Sequence, residues 1–251
     1  MALVWIMAAA LLPAQQIPPG TTLPVMLNSG LNAGKDKPVR KLTARIMQDV
    51  ALPDGAKIPA GSHIVGRLLR VSSPSANSPS RLAFRFNQLN TRGRSIPLTT
   101  SLRAIASTAD VFEAQLPTSN FDEYGTTIAD WTTIQVGGDV VYRGNGQVIS
   151  PDNKVVGSAT VGGDVNAKLI AVPQHGCRDE VAGNDREQAL WVFSTSACGA
   201  YGFQDLTIAH AGRTAPAGEI VVESPANVQI RGGSGLLLQV IAAGPPLAPT
   251  Q

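Results

Sequence analysis

The chain is poor in the residues that usually announce a chemistry. It has two cysteines, three histidines, 5% aromatic and 15% charged residues among 251 positions. Two cysteines outside any CxxC spacing cannot hold a zinc ion, and no local His or Asp pattern completes a ligand set, so no metal is expected. No Lys/Arg block exceeds the pair Arg40-Lys41. With 20 basic and 18 acidic residues spread along the chain, the electrostatic footprint of a nucleic-acid binder or a polybasic membrane patch is missing. There is no P-loop, dinucleotide fingerprint, HExxH helix or Gly-x-Ser-x-Gly elbow. No cofactor and no catalytic residue are therefore assigned, and a non-enzymatic protein is expected.

Long apolar runs are also scarce. The stretch Ala2 to Leu12, followed by Pro13-Ala14-Gln15, falls short of the roughly 20 residues that cross a bilayer. Its length suits the apolar region of a secretory signal, although no Lys or Arg precedes it. Residues 1–15 are read as that signal. The expected mature protein begins near Gln15 or Gln16, has no membrane span after signal removal, and is periplasmic or associated with the outer envelope.

What the chain does have is 25 glycines, 18 prolines and an apolar period of two. Leu23, Val25 and Leu27 alternate with Pro24, Met26 and Asn28, and Leu42, Ala44 and Ile46 with Thr43, Arg45 and Met47. The pattern returns at Leu82, Phe84 and Phe86 and at Ile96, Leu98, Thr100 and Leu102. Pro53-Asp54-Gly55 and Asn90-Thr91-Arg92-Gly93 are turn sequences between such runs, and Val71 to Ser80 is a polar Ser/Pro loop. Ser107 to Gln115 predicts one short helix with a Ser or Thr cap. Five short apolar runs follow, starting at Ala189, Leu206, Gly218, Asn227 and Leu236. The expectation is an all-β fold, a barrel or sandwich of short antiparallel strands with at most one or two short helices. Residues 16–103 form its first part, 104–131 a connection, 132–243 a second β-rich part and 244–251 a loose tail.

Two short repeats stand out. VGGDV occurs at Val136 to Val140 and at Val161 to Val165, without the longer arrays that bind calcium, and reads as a tight turn before a strand. IPPGT at Ile17 returns as IPAGS at Ile58. Pro18 and Gly20, and likewise Pro59 and Gly61, are read as turns that launch strands, with Pro at the second turn position and Gly at the fourth.

The order IPPGT with an apolar strand behind it, KIPAGS with Ile64-Val65-Gly66, then Phe84, then GRSIPL ending at Leu98, resembles the C-terminal β-barrel of TrbI-like conjugation and type IV secretion scaffold proteins. The likeness covers about Ile17 to Leu102. It implies a periplasmic barrel module that packs against other envelope proteins. That family's inner-membrane helix, Pro-rich linker and apolar helical hairpin have no counterpart in this sequence, so a pore role is not carried over.

The remaining candidates each have a structural reading. Cys177 and Cys198, 21 residues apart, are expected to form one disulfide, worth about 3 kcal/mol by the chain-entropy model. The competing Cys177–His175 thiolate pair leaves the second cysteine unexplained. His63 and His210 read as strand-edge residues, and a triad of His210 and Asp205 has no particular serine to complete it. Asp179, Glu180, Asp185 and Glu187 are balanced by Arg178 and Arg186, as in a solvated loop. Trp131, Tyr142, Trp191, Tyr201 and Phe203 could offer stacking platforms to a glycan or peptidoglycan, the alternative function. A hydrolase with an unidentified site is the second alternative. The expected function is protein–protein assembly in the envelope through strand edges and loops, with other envelope proteins as partners and an oligomer compatible with it.

Overall fold

A computed structural model of the chain describes residues 16–115, 131–134, 136, 140–144, 147–149, 155–159, 165–169, 184–189, 191–193, 197–211 and 218–243. In chain order the first half holds β1 (Thr22–Leu27), β2 (Leu31–Asn32), β3 (Lys41–Ile46), β4 (Val50–Ala51), β5 (Lys57–Ile58), β6 (His63–Ser72), β7 (Ser80–Thr91), β8 (Arg94–Ala106) and the helix α1 (Thr108–Gln115). Then come β9 (Trp131–Ile134), β10 (Val140–Gly144), β11 (Gln147–Ile149), β12 (Val155–Ala159), β13 (Val165–Leu169) and β14 (Asn184–Ala189). The last are β15 (Gly199–Tyr201), β16 (Thr207–Ile208), β17 (Ile220–Ser224), β18 (Gln229–Ile230) and β19 (Gly235–Ala243).

Of the two all-β architectures expected, the barrel is the one present. Strands β8, β19, β1, β3, β6 and β7 are neighbours in that order, and β7 pairs back onto β8. Every one of these six pairings is antiparallel. β15 adds to β8 in parallel, and β17 and then β16 extend from β7. Strands β9 to β14 form a separate six-stranded meander, each pairing with the next. Both VGGDV copies end on the first residue of one of its strands, β10 at Val140 and β13 at Val165, while the expected turn residues 137–139 and 161–164 lie outside the described residues.

The alternating residues fill the barrel. Leu23, Val25, Leu27, Leu42, Ala44, Ile46, Ile64, Leu68, Leu82, Phe84, Phe86, Leu98 and Leu238 are all buried in one apolar cluster. Side chains two apart on a strand share a face, which brings the Phe84 and Phe86 rings edge to face at 6.0 Å. Burying each such side chain contributes about 1.5–3 kcal/mol, so the interior is a core rather than a channel.

Closing six strands needs sharp curvature, and bulges supply it. Register slips between Val65 and Gly66 and between Leu68 and Arg70 on β6, and between Leu237 and Leu238 and between Val240 and Ala242 on β19. β8 changes partner along its length. Its residues Arg94 to Pro97 pair with β7, while Leu98 to Ala106 pair with β19. Where it leaves β7, the buried Thr100 hydroxyl donates to the Phe86 carbonyl at 3.2 Å. That bond ties β8 to β7 beyond the end of their ladder.

The barrel takes its sixth strand from Gly235–Ala243, so it is not confined to the 16–103 stretch, and β8 itself runs on to Ala106. The predicted helix is α1. The Asp110 N–H donates to Ser107 Oγ at 3.2 Å, the capping contact that Ser107 was expected to make. The Pro53-Asp54-Gly55 turn joins β4 to β5, with the Ala56 N–H donating to Asp54 Oδ1 at 3.0 Å. Of the expected Val71 to Ser80 loop, residues 73–79 are exposed between strands, while Val71 and Ser72 end β6 and the buried Ser80 begins β7.

One apolar run departs from the strand reading. In ALWVFS, Ala189 ends β14, but Trp191 has φ +53° and, among the described residues that follow, only Phe193 bridges, to Val136. Trp191, Val192 and Phe193 are instead buried with Ala104, Ala106, Val111 and Leu237 in a second apolar cluster. A run of consecutive large apolar residues satisfies burial by anchoring a turn as well as by forming a strand.

Gly66 gives the fold a sharp test. A Cβ there would stand 1.9 Å from the Arg85 carbonyl oxygen, on backbone that the β6–β7 pairing holds in place. Gly66→Ala is expected to cost at least about 3 kcal/mol, the upper end for overpacking a well-filled site. Denaturant unfolding checks this, and a loss below about 1 kcal/mol contradicts the close approach.

Candidate functional site

Outside the core, an open groove of about 510 Å³ lies at one mouth of the barrel. One wall is Pro59 to His63 and the other is Asn90 to Ser95. The strand-launching turn and the β7–β8 hairpin thus meet, because His63 pairs with Asn90 and Asn90 with Ser95.

The first wall is a device used twice. The Ser62 N–H donates to the Pro59 carbonyl at 3.2 Å and the Ser62 hydroxyl to the same oxygen at 2.7 Å. Thr21 makes both bonds to the Pro18 carbonyl at the same distances. Gly61 and Gly20 sit at φ +83° and +84°. The hydrogen-bonded turns therefore run Pro59 to Ser62 and Pro18 to Thr21, with Gly at the third position. This corrects the expected register by one residue: the third position of a type II turn is the one that demands positive φ. The hydroxyl residue after the glycine is part of the motif, since it closes the turn a second time. The residue after that differs: Thr22 is buried whereas His63 is exposed.

Asp49 fixes this wall from behind. Its carboxylate accepts the Ala60 N–H at 2.9 Å and the Lys57 ammonium. The Lys57 hydrogen bond first, then the Ala60 N–H, and after them the charges of Lys57 and Arg92, hold the Asp49 carboxyl below the usual carboxylate range against the opposing cost of desolvation. Lys57, the residue that opens KIPAGS, is thereby explained.

The second wall is a two-residue hairpin loop. Arg92 and Gly93 have φ +47° and +71°, the pair of positive values that marks a type I′ turn. Asn is the favoured first residue of such a turn, and Arg there is strained. The walls are tied together by Ser62 and Thr91, whose hydroxyls lie 2.9 Å apart. Ser62's one proton goes to Pro59, so Thr91 is the donor.

Chemically the groove offers two exposed guanidinium groups, an exposed imidazole and hydroxyls, with no carboxylate among its lining residues. Such a surface suits recognition of an anionic group.

The other sequence candidates do not gather here. Cys198 is fully buried beside Ala211 and Ile208, and Tyr201 is bound to it twice: the Cys198 N–H donates to the phenol oxygen and the phenol donates to the Cys198 carbonyl, both at 2.9 Å. Cys177 lies outside the described residues, as do His175, Arg178, Asp179 and Glu180, and the described residues hold no free cysteine. Asp205 and His210 are both exposed, His210 in the turn after β16. Among the aromatics, Trp191 is buried, Tyr201 is held by Cys198 and Phe203 packs on the barrel core, so none of these three is a free platform. Among the described residues no helix is long and apolar enough to cross a membrane, and no group of His, Cys, Asp and Glu is arranged for a metal ion.

Sequence reasoning passed over Arg92, Arg94 and Arg103. Arg103 is the extra residue of the bulge where Ala104 and Leu102 face Leu237 and Leu238. Although it is 1% exposed, burial brings its guanidinium down only to about 10, with Tyr201 acting in the opposite direction. It stays charged at neutral pH. Comparison with known proteins adds no relative: no family model matches the chain, and no curated protein does.

Asp49 yields a pH-dependent test. Its lowered carboxyl stabilises the fold fully above the ordinary carboxylate range, and the contribution is lost as pH falls through the lowered value. The pair is half-exposed, so Asp49→Asn is expected to cost about 0.5–1 kcal/mol at pH 7. The gap from wild type should close once acid has protonated the carboxyl. Thermal melts across pH check this, and a gap that widens in acid contradicts the assignment.

Proposed function

We propose that the chain is a non-enzymatic exported envelope protein that acts in protein–protein assembly, as a scaffold of the kind its TrbI-like sequence features suggest. The observation that carries the reading is the division of labour in the barrel. Its interior is filled by Leu23, Leu42, Phe84, Phe86 and their neighbours, while an open polar groove stands on the outside between two tied turns. A filled barrel has no room for a substrate, so recognition falls to loops and strand ends. β16, a two-residue strand at the end of the extended sheet, and β15 at the other end supply short edges of the kind that partners extend.

The disulfide between Cys177 and Cys198 belongs to this proposal. It would brace the chain before β15, next to the Tyr201 contacts that hold Cys198. Such a bridge fits an oxidising compartment, and residues 1–15 fit a secretory signal.

Cell fractionation with crosslinking, followed by identification of the bound proteins, tests the reading. Recovery from the envelope fraction in complexes with other envelope proteins is expected. Recovery as a lone cytoplasmic monomer overturns both the location and the role.

A further inference from the structure

We propose that the groove between Pro59–His63 and Asn90–Ser95 receives a carboxylate-bearing peptide segment of a protein partner, with Arg92 and Arg94 holding its anionic side chains. The inference rests on the assembly reading and names the chemistry of the surface that reading would use.

Charge decides the ligand's sign. The ionisable residues lining the groove are His63, Arg92 and Arg94, and each is exposed. Neither arginine is in an ion pair among the described residues, whose pairs are Arg40–Asp36, Lys57–Asp49, Arg70–Glu219 and Arg81–Glu223. Asp49, the carboxylate that feels the charge of Arg92, is already engaged by Lys57 and the Ala60 N–H. The cations are therefore left for an anion from outside. A guanidinium presents a planar fork of donors that matches a carboxylate in two bonds.

Backbone shape decides for a peptide. Gly61 and Gly93, one on each wall, have open space where a Cβ would stand, so a chain can approach the main chain of both walls closely. The Arg92 and Gly93 N–H groups make no hydrogen bond to described residues, and Asn90 and Ser95 add side-chain partners along the groove. An open groove leaves most of a small ion in water. An extended segment collects many such contacts at once.

Arg92 is also the strained position of its turn. Arg92→Asn would create the Asn-Gly pair that a type I′ turn favours, so this variant should fold at least as stably as wild type while losing the cation. That separates a binding role from a structural one.

The test uses the full chain and a fluorescent, end-blocked hexaglutamate peptide followed by anisotropy at physiological salt. Binding is expected, with end-blocked hexaglutamine giving none. Arg92→Asn combined with Arg94→Gln should weaken it about tenfold, the equivalent of two exposed charge contacts. Arg81→Gln, whose guanidinium pairs with Glu223 elsewhere on the surface, should leave it unchanged. Unchanged binding in the double variant, or equal weakening by Arg81→Gln, overturns the proposal. So does tighter binding of inorganic phosphate or of anionic lipid vesicles through the same two arginines. If the peptide fails while crosslinked envelope complexes persist, this inference falls and the assembly reading stands; loss of the complexes themselves takes the reading with it.

Discussion

The barrel closes because β8 passes its hydrogen bonds from β7 to β19 at Pro97 and Leu98, and the strands added to the ring sit where that exchange leaves edges open. A strand that leaves one neighbour for another exposes backbone polar groups in an apolar interior. Thr100 meets the Phe86 carbonyl at that seam, and the bulge at Arg103 bends β8 within its ladder with β19. The freed edge of β7 is taken up by β17, whose Ile220 to Ser224 pair with Phe84 to Ser80. Further along β8, Ala104 to Ala106 gain β15 as a parallel neighbour. The additional strands are thus consequences of how the six-stranded ring is shut.

The same closure fixes the groove. With β6, β7 and β8 held in register, the turn before β6 and the turn between β7 and β8 have to emerge side by side at one mouth. Ser62 and Thr91 lock them together, and Asp49 holds the first turn from the rear. Both walls are backbone turns stabilised by hydrogen bonds rather than mobile side chains. Their geometry is therefore set before any ligand arrives, which lowers the ordering cost of binding.

Much of this was readable in the chain. Alternation placed the barrel-facing residues from Leu23 to Leu102, Ser107 marked the cap of α1, and Asn90 to Gly93 marked a hairpin turn. Local chemistry determines each of these, so local sequence carries the signal. What stayed hidden depends on distance. Nothing near Gly235 says that β19 lies between β1 and β8, because strand order is a property of the whole sheet. The groove was legible only in halves. KIPAGS and the Asn90 turn each read as punctuation, while their meeting at His63 and Asn90 is a matter of register. Pro59 suggests the second turn position, and only the positive φ of Gly61 reveals that Gly holds the third and Pro the first. In ALWVFS the apolar content announces burial but not conformation, since burial and strand formation are separate demands.

A ring of strands has no weakest edge to open first, so its members should unfold together even when they are distant in sequence. Native-state hydrogen exchange of the backbone amides from Leu236 to Val240 in β19, compared with those in β3 and β6, tests this most directly. The account predicts the same opening free energy for all three strands, equal to that of global unfolding. Rapid exchange in β19 while β3 and β6 stay protected would show that the ring is not closed by this strand.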